Sequence, residues 1–187
     1  MKRKAILFRR ALNKKRSRED RFSNSSKKRK EFIESCKKRN SDLSFATIVT
    51  NNDDDNYENA TVGKNVVVND AFLDLHGKIT LGDNVFFGWG VKILTGTHDI
   101  RYTGPKRQFA ISSKPVTLET GVWVASFAII LPGSVVGMDS VVSAGSVVKG
   151  TFPPKAVIQG NPARIVDKIT PIANQNNASD SINTNQP

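Results

Sequence analysis

Residues 118–148, written in sixes, read LETGVW, VASFAI, ILPGSV, VGMDSV and VSAGSV, with Val148 opening the next unit. The first column is Leu118, Val124, Ile130, Val136, Val142 and Val148, an aliphatic at every sixth position without a slip. The fifth column, Val122, Ala128, Ser134, Ser140 and Ser146, admits only small residues, and the second includes Ala125, Gly137 and Ser143. A six-residue period matches neither an amphipathic helix, near 3.6, nor a two-residue alternation. It matches a chain that runs straight for about four residues, turns in about two, and sends one aliphatic into a shared interior from each straight segment. Three such sides close a triangular coil of about eighteen residues, and coils about 4.8 Å apart pair their backbone groups with those above and below. So narrow a triangle holds one large and one small side chain per side, which accounts for columns one and five. The strands of a sandwich would space their turn signals irregularly, at about eight to twelve residues, and the strict phasing speaks against them.

Working outward, the hexads begin at about Ala60 with Val62-Gly63-Lys64-Asn65-Val66 and Val68. They cross an irregular DLHGK passage with one extra residue near His76 to Thr80, then continue through Leu81-Gly82-Asp83-Asn84-Val85, Phe87-Gly88 and Ile93. Glycine after the inward aliphatic, at Gly63, Gly82 and Gly88, fits a coil whose backbones pass closely or adopt unusual angles. After His98 the period lapses for nineteen residues, 99–117, and resumes at Leu118. A long loop leaving a strict solenoid is functional or disordered, and its place directly after a histidine favours function. Phe152-Pro153-Pro154 interrupts the repeat, and AVIQGNPARIVDKI supplies apolar residues that turn back over an otherwise aggregation-prone end. The expected division is a basic arm and linker over 1–59, a β-helix over 60–151 with the loop 99–117 extruded, a cap over 152–169, and a disordered tail over 170–187.

The charge is unevenly placed. Of a net +11, residues 1–40 carry 17 Lys and Arg against 4 acidic residues (+13), and the remainder 11 against 13 (−2). The arm is poor in core material and is expected to be mobile or marginally helical alone. Three roles compete for it. It is a solvated extension or end cap; or Ile6, Leu7, Phe8, Ala11 and Leu12 form an apolar face suited to an anionic membrane surface; or it attracts nucleic-acid phosphates, without any base-reading motif. The apolar run Ala5 to Phe8 is broken by Arg9-Arg10 and too short for a secretory signal, although an Arg-rich organellar presequence stays open. No stretch approaches transmembrane length. The expected location is cytoplasmic, with peripheral attachment to a membrane left open. Cys36 is the single cysteine, so no internal disulfide framework exists, and it is taken as a bystander. Asp53-Asp54-Asp55 lacks the glycine-containing spacing of a calcium loop and is taken as solvated.

The hexads, together with Gly82-Asp83-Asn84-Val85, Gly96-Thr97-His98, Gly121-Val122-Trp123-Val124, Leu131-Pro132-Gly133, Ala144-Gly145-Ser146, Pro153-Pro154 and Gly160-Asn161-Pro162-Ala163, resemble the hexapeptide-repeat acyltransferases. Within that family they are similar to the maltose and galactoside O-acetyltransferases and to bacterial polysaccharide O-acetyltransferases, over roughly residues 60–169. The resemblance implies an all-β, left-handed parallel β-helix; the handedness comes from the family, because the general crossover rule is right-handed. It also implies a homotrimer with sites between subunits, acetyl-CoA as cosubstrate without a metal, and direct transfer to a sugar or glycan in a ternary complex.

Acyl transfer to a hydroxyl requires removal of its proton, a task suited to an imidazole titrating near neutrality, and His98 is the candidate base. By resemblance Asn69 contacts the acceptor, Gly88, Ser126 and Ala144 line the pantetheine groove beside Trp123, and Lys149 and Arg164 lie near the nucleotide end of the coenzyme. Three departures stand out: Lys149-Gly150 replaces a frequent Thr-Lys, Asp167 with Lys168 replaces a second arginine, and no N-terminal helical module is recognisable. His76, in Asp74-Leu75-His76-Gly77, either contacts the acceptor or occupies a surface turn. Two histidines in all argue against a zinc enzyme needing three imidazole ligands. The expected activity is O-acetylation of a sugar or polysaccharide. The alternatives are N-acetylation of a nucleotide-linked amino sugar, or a non-catalytic scaffold docking through its arm.

Overall fold

The computed structural model describes residues 27–50 and 57–172. In chain order the elements are a helix α1 (Lys27–Lys37) and the strands β1 (Thr47–Thr50), β2 (Ala60–Val62), β3 (Phe72–Leu75), β4 (Ile79–Leu81), β5 (Phe86–Phe87), β6 (Lys92–Ile93) and β7 (Gly96–His98). A 3-10 helix (Gly104–Gln108) separates β7 from β8 (Ile111–Ser113). There follow β9 (Val116–Leu118), β10 (Trp123–Val124), β11 (Ile129–Ile130), β12 (Val135–Val136), β13 (Val141–Val142), β14 (Val147–Val148), β15 (Thr151–Phe152), β16 (Ala156–Gly160) and β17 (Ala163–Lys168).

These strands stack as three five-stranded sheets, one per side of the triangle. The β1 side holds β1, β3, β6, β11 and β14; the β2 side holds β2, β4, β9, β12 and β15; the β5 side holds β5, β10, β13, β16 and β17. All neighbours within a side run parallel except β16 and β17. Register sets like on like: Ile130 pairs with Ile93 below and Val148 above, and Val124 with Phe87 and Val142. All six first-column aliphatics are fully buried, at 0% exposure, each contributing about 1.5–3 kcal/mol by leaving water. The column-five serines are buried fillers whose hydroxyls bond the next coil: Ser134 donates to the Val148 carbonyl (3.2 Å), Ser140 to that of Pro153, and Ser146 Oγ accepts from the Gly160 N–H.

The corner joining the β2 side to the β5 side is left-handed on six successive turns, at Asn40, Asn65, Asn84, Gly121, Asp139 and Lys155, with φ between 55° and 74°. Asparagine tolerates that region, and here its amides also join the coils: Asn40 donates to Asn65 (2.9 Å) and Asn65 to Asn84 (3.0 Å). Gly82 is required by close approach instead, since a Cβ there would lie 2.5 Å from the Thr120 nitrogen.

The structure moves both expected boundaries of the β-helix. The coil starts before Ala60: Leu43, Ala46 and Ile48 are buried, Asp42 bridges Val67, and β1 pairs with β3. This first turn spaces its inward residues by five and is then interrupted, so it shows no hexad phase. The coil also continues past Thr151, because β15 pairs with β12 and β16 with β13, placing Phe152 and Ile158 in the inward columns. Pro153 and Pro154 sit in a corner, between strands, where the pairing survives them. Only β17 turns back as a cover. Within the arm, residues 27–37 are an ordered helix that buries Arg29, Ile33 and Cys36 against the coil end, with the Arg29 guanidinium donating to the Ala46 carbonyl (2.8 Å) and Phe32 stacked on Tyr57. Burial pushes the Cys36 thiol pKa up against the opposing Arg39 charge, which disfavours a reactive thiolate. The apolar face at Ile6 to Leu12, the aspartate triplet and tail residues 173–187 lie outside the described residues.

Candidate active site

Extra residues accumulate at one corner, the one joining the β1 side to the β2 side. Among the described residues they occur on successive turns, at 76–78 and 94–115. The last insertion is an ordered antiparallel hairpin, β7 with β8, pairing Gly96 with Ser113 and His98 with Ile111. His98 ends β7 and is exposed, and its Nδ1 lies 2.9 Å from the Arg107 carbonyl oxygen. A ring nitrogen facing a carbonyl must carry the hydrogen, so the neutral ring presents a bare Nε2 lone pair. The hairpin tip braces itself. Arg107 Nε donates to the Tyr102 carbonyl (2.7 Å), and the exposed Arg101 guanidinium on half-buried Asp99 holds that carboxyl at a pKa of about 2. An open groove of about 450 Å³ runs along the tip, lined by Asp99, Tyr102, Lys106 and Phe109 among others, but not by His98.

The hairpin root is held by Asp74, which sits between buried Leu73 and Leu75 at 7% exposure. Its Oδ2 accepts from the N–H groups of Thr95 (3.1 Å) and Gly96 (2.7 Å), and its Oδ1 from the His76 N–H (3.0 Å) and His76 Nδ1. Burial pushes the Asp74 pKa up, but the Gly96, His76 and Thr95 donors outweigh it and hold the pKa below the ordinary carboxylate value. Asp74 did not stand out in sequence, although a charge inside a run of core leucines was the available signal.

Asn69, Gly88, Ser126 and Ala144 stack on successive turns at a different corner, where the β5 side meets the β1 side. A Cβ on Gly88 would lie 2.6 Å from the Ser126 nitrogen. Asn69 Nδ2 donates to the Phe87 carbonyl (2.7 Å), and Ser126 Oγ accepts from the Trp89 N–H (3.1 Å). Trp123 projects outward from the adjoining β5 side, stacked on Phe86 with centroids 5.7 Å apart. Arg164 lies opposite Gln159, near the top of this corner. Lys149 follows β14 and falls on the same corner as His98. Thus the structure assembles one column from Asn69, Gly88, Ser126 and Ala144, flanked by Trp123 and Arg164, while a full side of the triangle separates it from His98 and Lys149. Two aromatics of the column were missed in sequence, Trp89 and Phe127, exposed at 60% and 69%. Phe127 has φ 61° where neighbouring turns place Gly90 and Gly145. A bulky residue in that region costs about 1–3 kcal/mol, and phenylalanine at a glycine position was its sequence signal. Among the described residues no group of three or more His, Cys, Asp and Glu side chains is arranged to hold a metal ion.

The fold and the histidine-bearing hairpin define a class, and the comparisons with known proteins agree: the chain belongs to the hexapeptide-repeat acetyltransferases, and its coil is the left-handed β-helix of that family. A Staphylococcus aureus (strain MRSA252) protein provisionally named an acetyltransferase is 35% identical over 144 residues, covering 76% of this chain and 70% of that one. The galactoside O-acetyltransferase of Escherichia coli K12 is 36% identical over 95 residues, 49% of this chain and 44% of that protein. The crystal structure of a maltose O-acetyltransferase from Clostridium difficile 630 superposes with a TM-score of 0.56 at 38% identity, covering 61% of each chain. The chain spans about half the length of several curated relatives it matches, 48%, 57% and 44%. No protein-family model matches it.

Proposed function

We propose that the chain is an acetyl-CoA-dependent O-acetyltransferase acting on a hydroxyl of a sugar or polysaccharide, with His98 as general base, at sites between the subunits of a homotrimer. The observation that carries this is the Nδ1 contact of His98 with the Arg107 carbonyl (2.9 Å), which presents Nε2 as a proton acceptor. The acceptor oxygen attacks the thioester carbonyl as Nε2 takes its proton; the C–S bond then breaks and the departing sulfur receives that proton from the imidazolium. The transfer is direct, without an acyl-enzyme, in keeping with a single buried cysteine and the inward-facing serines of column five. The small-residue column fits a pantetheine arm along Gly88, Ser126 and Ala144, with Trp123 beside it. Arg164 and Lys149 complement the phosphates, and Asn69 contacts the acceptor. Since His98 and that column occupy different corners of one chain, the trimer supplies the hairpin of one subunit to the column of the next. The relatives named galactoside and maltose O-acetyltransferases support a sugar acceptor.

We propose a cytoplasmic location with peripheral attachment to a membrane: an anionic membrane surface is the partner that the +13 of residues 1–40 fits. No helix among the described residues is long and apolar enough to cross a membrane. The test is thiol release from acetyl-CoA with a panel of sugar alcohols and amino sugars, the products identified by mass. Transfer to a hydroxyl is expected, falling about 10²–10⁴-fold in His98→Ala. Transfer to amines alone, or an unimpaired variant, overturns the proposal.

A further inference from the structure

The second histidine is built into the site corner. His76 is 28% exposed at its side chain, and its Nδ1 donates to the buried Asp74 carboxylate, which also accepts the His76 N–H at 3.0 Å. In the neutral ring this contact places the hydrogen on Nδ1 and leaves Nε2 as the acceptor of a partly exposed side chain. Orientation by a buried carboxylate is more than a surface-turn histidine requires.

The ring lies against the strand that carries His98. A Cβ on Gly96 would sit 3.1 Å from both Cβ and Cγ of His76, so the absent side chain at 96 is what makes room for the imidazole. Residues two apart on a strand project to the same face. The space beside Gly96 that holds the His76 ring is therefore on the face to which His98 projects, about 6.6 Å further along the strand. Ser113, opposite Gly96, and Ile111, opposite His98, complete that face. The result is two imidazoles on one face of the hairpin, each with Nδ1 engaged by the protein and Nε2 left as the ring's acceptor.

We infer that His76, held by Asp74, is a specificity-determining residue: its Nε2 accepts a hydrogen bond from a second hydroxyl of the acceptor, on a carbon adjacent or next-but-one to the hydroxyl that loses its proton to His98. The substrate class is accordingly a polyol presenting two nearby hydroxyls, and not a simple alcohol. The inference rests on the acetyl transfer proposed above.

The test crosses His76 variants with deoxy acceptors. His76→Asn keeps an amide donor toward Asp74 and removes the Nε2 acceptor, so the hairpin root is retained where His76→Ala would loosen it. With the wild-type chain, one deoxy analogue of a good acceptor should lose about tenfold in kcat/KM, the scale of one hydrogen bond. His76→Asn should lose a similar factor with the parent acceptor and nothing further with that analogue, its KM for acetyl-CoA unchanged. Independent, multiplicative losses for every analogue, or a variant equal to wild type, overturn the inference while leaving the acetyltransferase proposal standing. A wild-type chain that acetylates no alcohol overturns both.

Discussion

Asp74 shows what one buried charge requires at the residue scale. Taken alone, a carboxylate between two buried leucines would protonate. The N–H groups of Thr95, Gly96 and His76, with the His76 ring, keep it ionised and tie the hairpin root to the coil. Because its folded pKa lies below the ordinary carboxylate value, its contribution is complete above that ordinary value and is lost as pH falls through the folded one. Asp74→Asn should therefore cost about 2–4 kcal/mol at neutral pH. In denaturant unfolding followed on both proteins, that gap should close as the solution is acidified below the usual carboxylate range. A gap that does not change with pH would show that shape, and not charge, is what the position needs.

At the element scale, each coil hangs on one aliphatic per side, locked between backbone ladders above and below. Those ladders keep neighbours from collapsing into a void, so Ile130→Ala should cost about 2–5 kcal/mol in guanidinium unfolding. Ile100→Ala, on the hairpin at 82% exposure, should stay within about 0.5 kcal/mol. The same locking explains which elements were legible in sequence. From Leu118 to Val148 the inward residues recur with one period, and their burial follows. In sequence the first turn reads as a linker because its inward residues, Leu43 and Ile48, are five apart and no hexad follows them directly. The segment after Phe152 reads as a cap because two prolines signal an end, yet they fall between strands. The hairpin after His98 was legible only as a break in the period. Its strand pairing and the Arg107 contact with His98 depend on how the break refolds on itself.

For the whole molecule, the decisive geometry is the triangle: candidate donor-site residues stack at one corner and His98 projects from another. If the active unit spans two subunits, damage at each half should be complementary. His98→Ala and a column blocked by Ala144→Trp should each be inactive as pure trimers. Refolded together at equal amounts, about a quarter of interfaces receive both intact halves by random assortment, and activity should return to roughly that share. No recovery, or a monomeric mass by light scattering, would place the whole reaction within one chain.

The six-residue recurrence by itself determined that this chain forms a three-sided coil with aliphatics inward, since burial in so narrow a triangle is a local requirement repeated on every side. It also marked His98, by the break that follows it. Only the tertiary structure decided which corners coincide: that the insertions at 76–78 and 94–115 share one edge, that His76 lies beside the strand of His98, and that Asp74 holds both. Those contacts join residues about one full turn apart, and their alignment depends on the summed length of every segment between them.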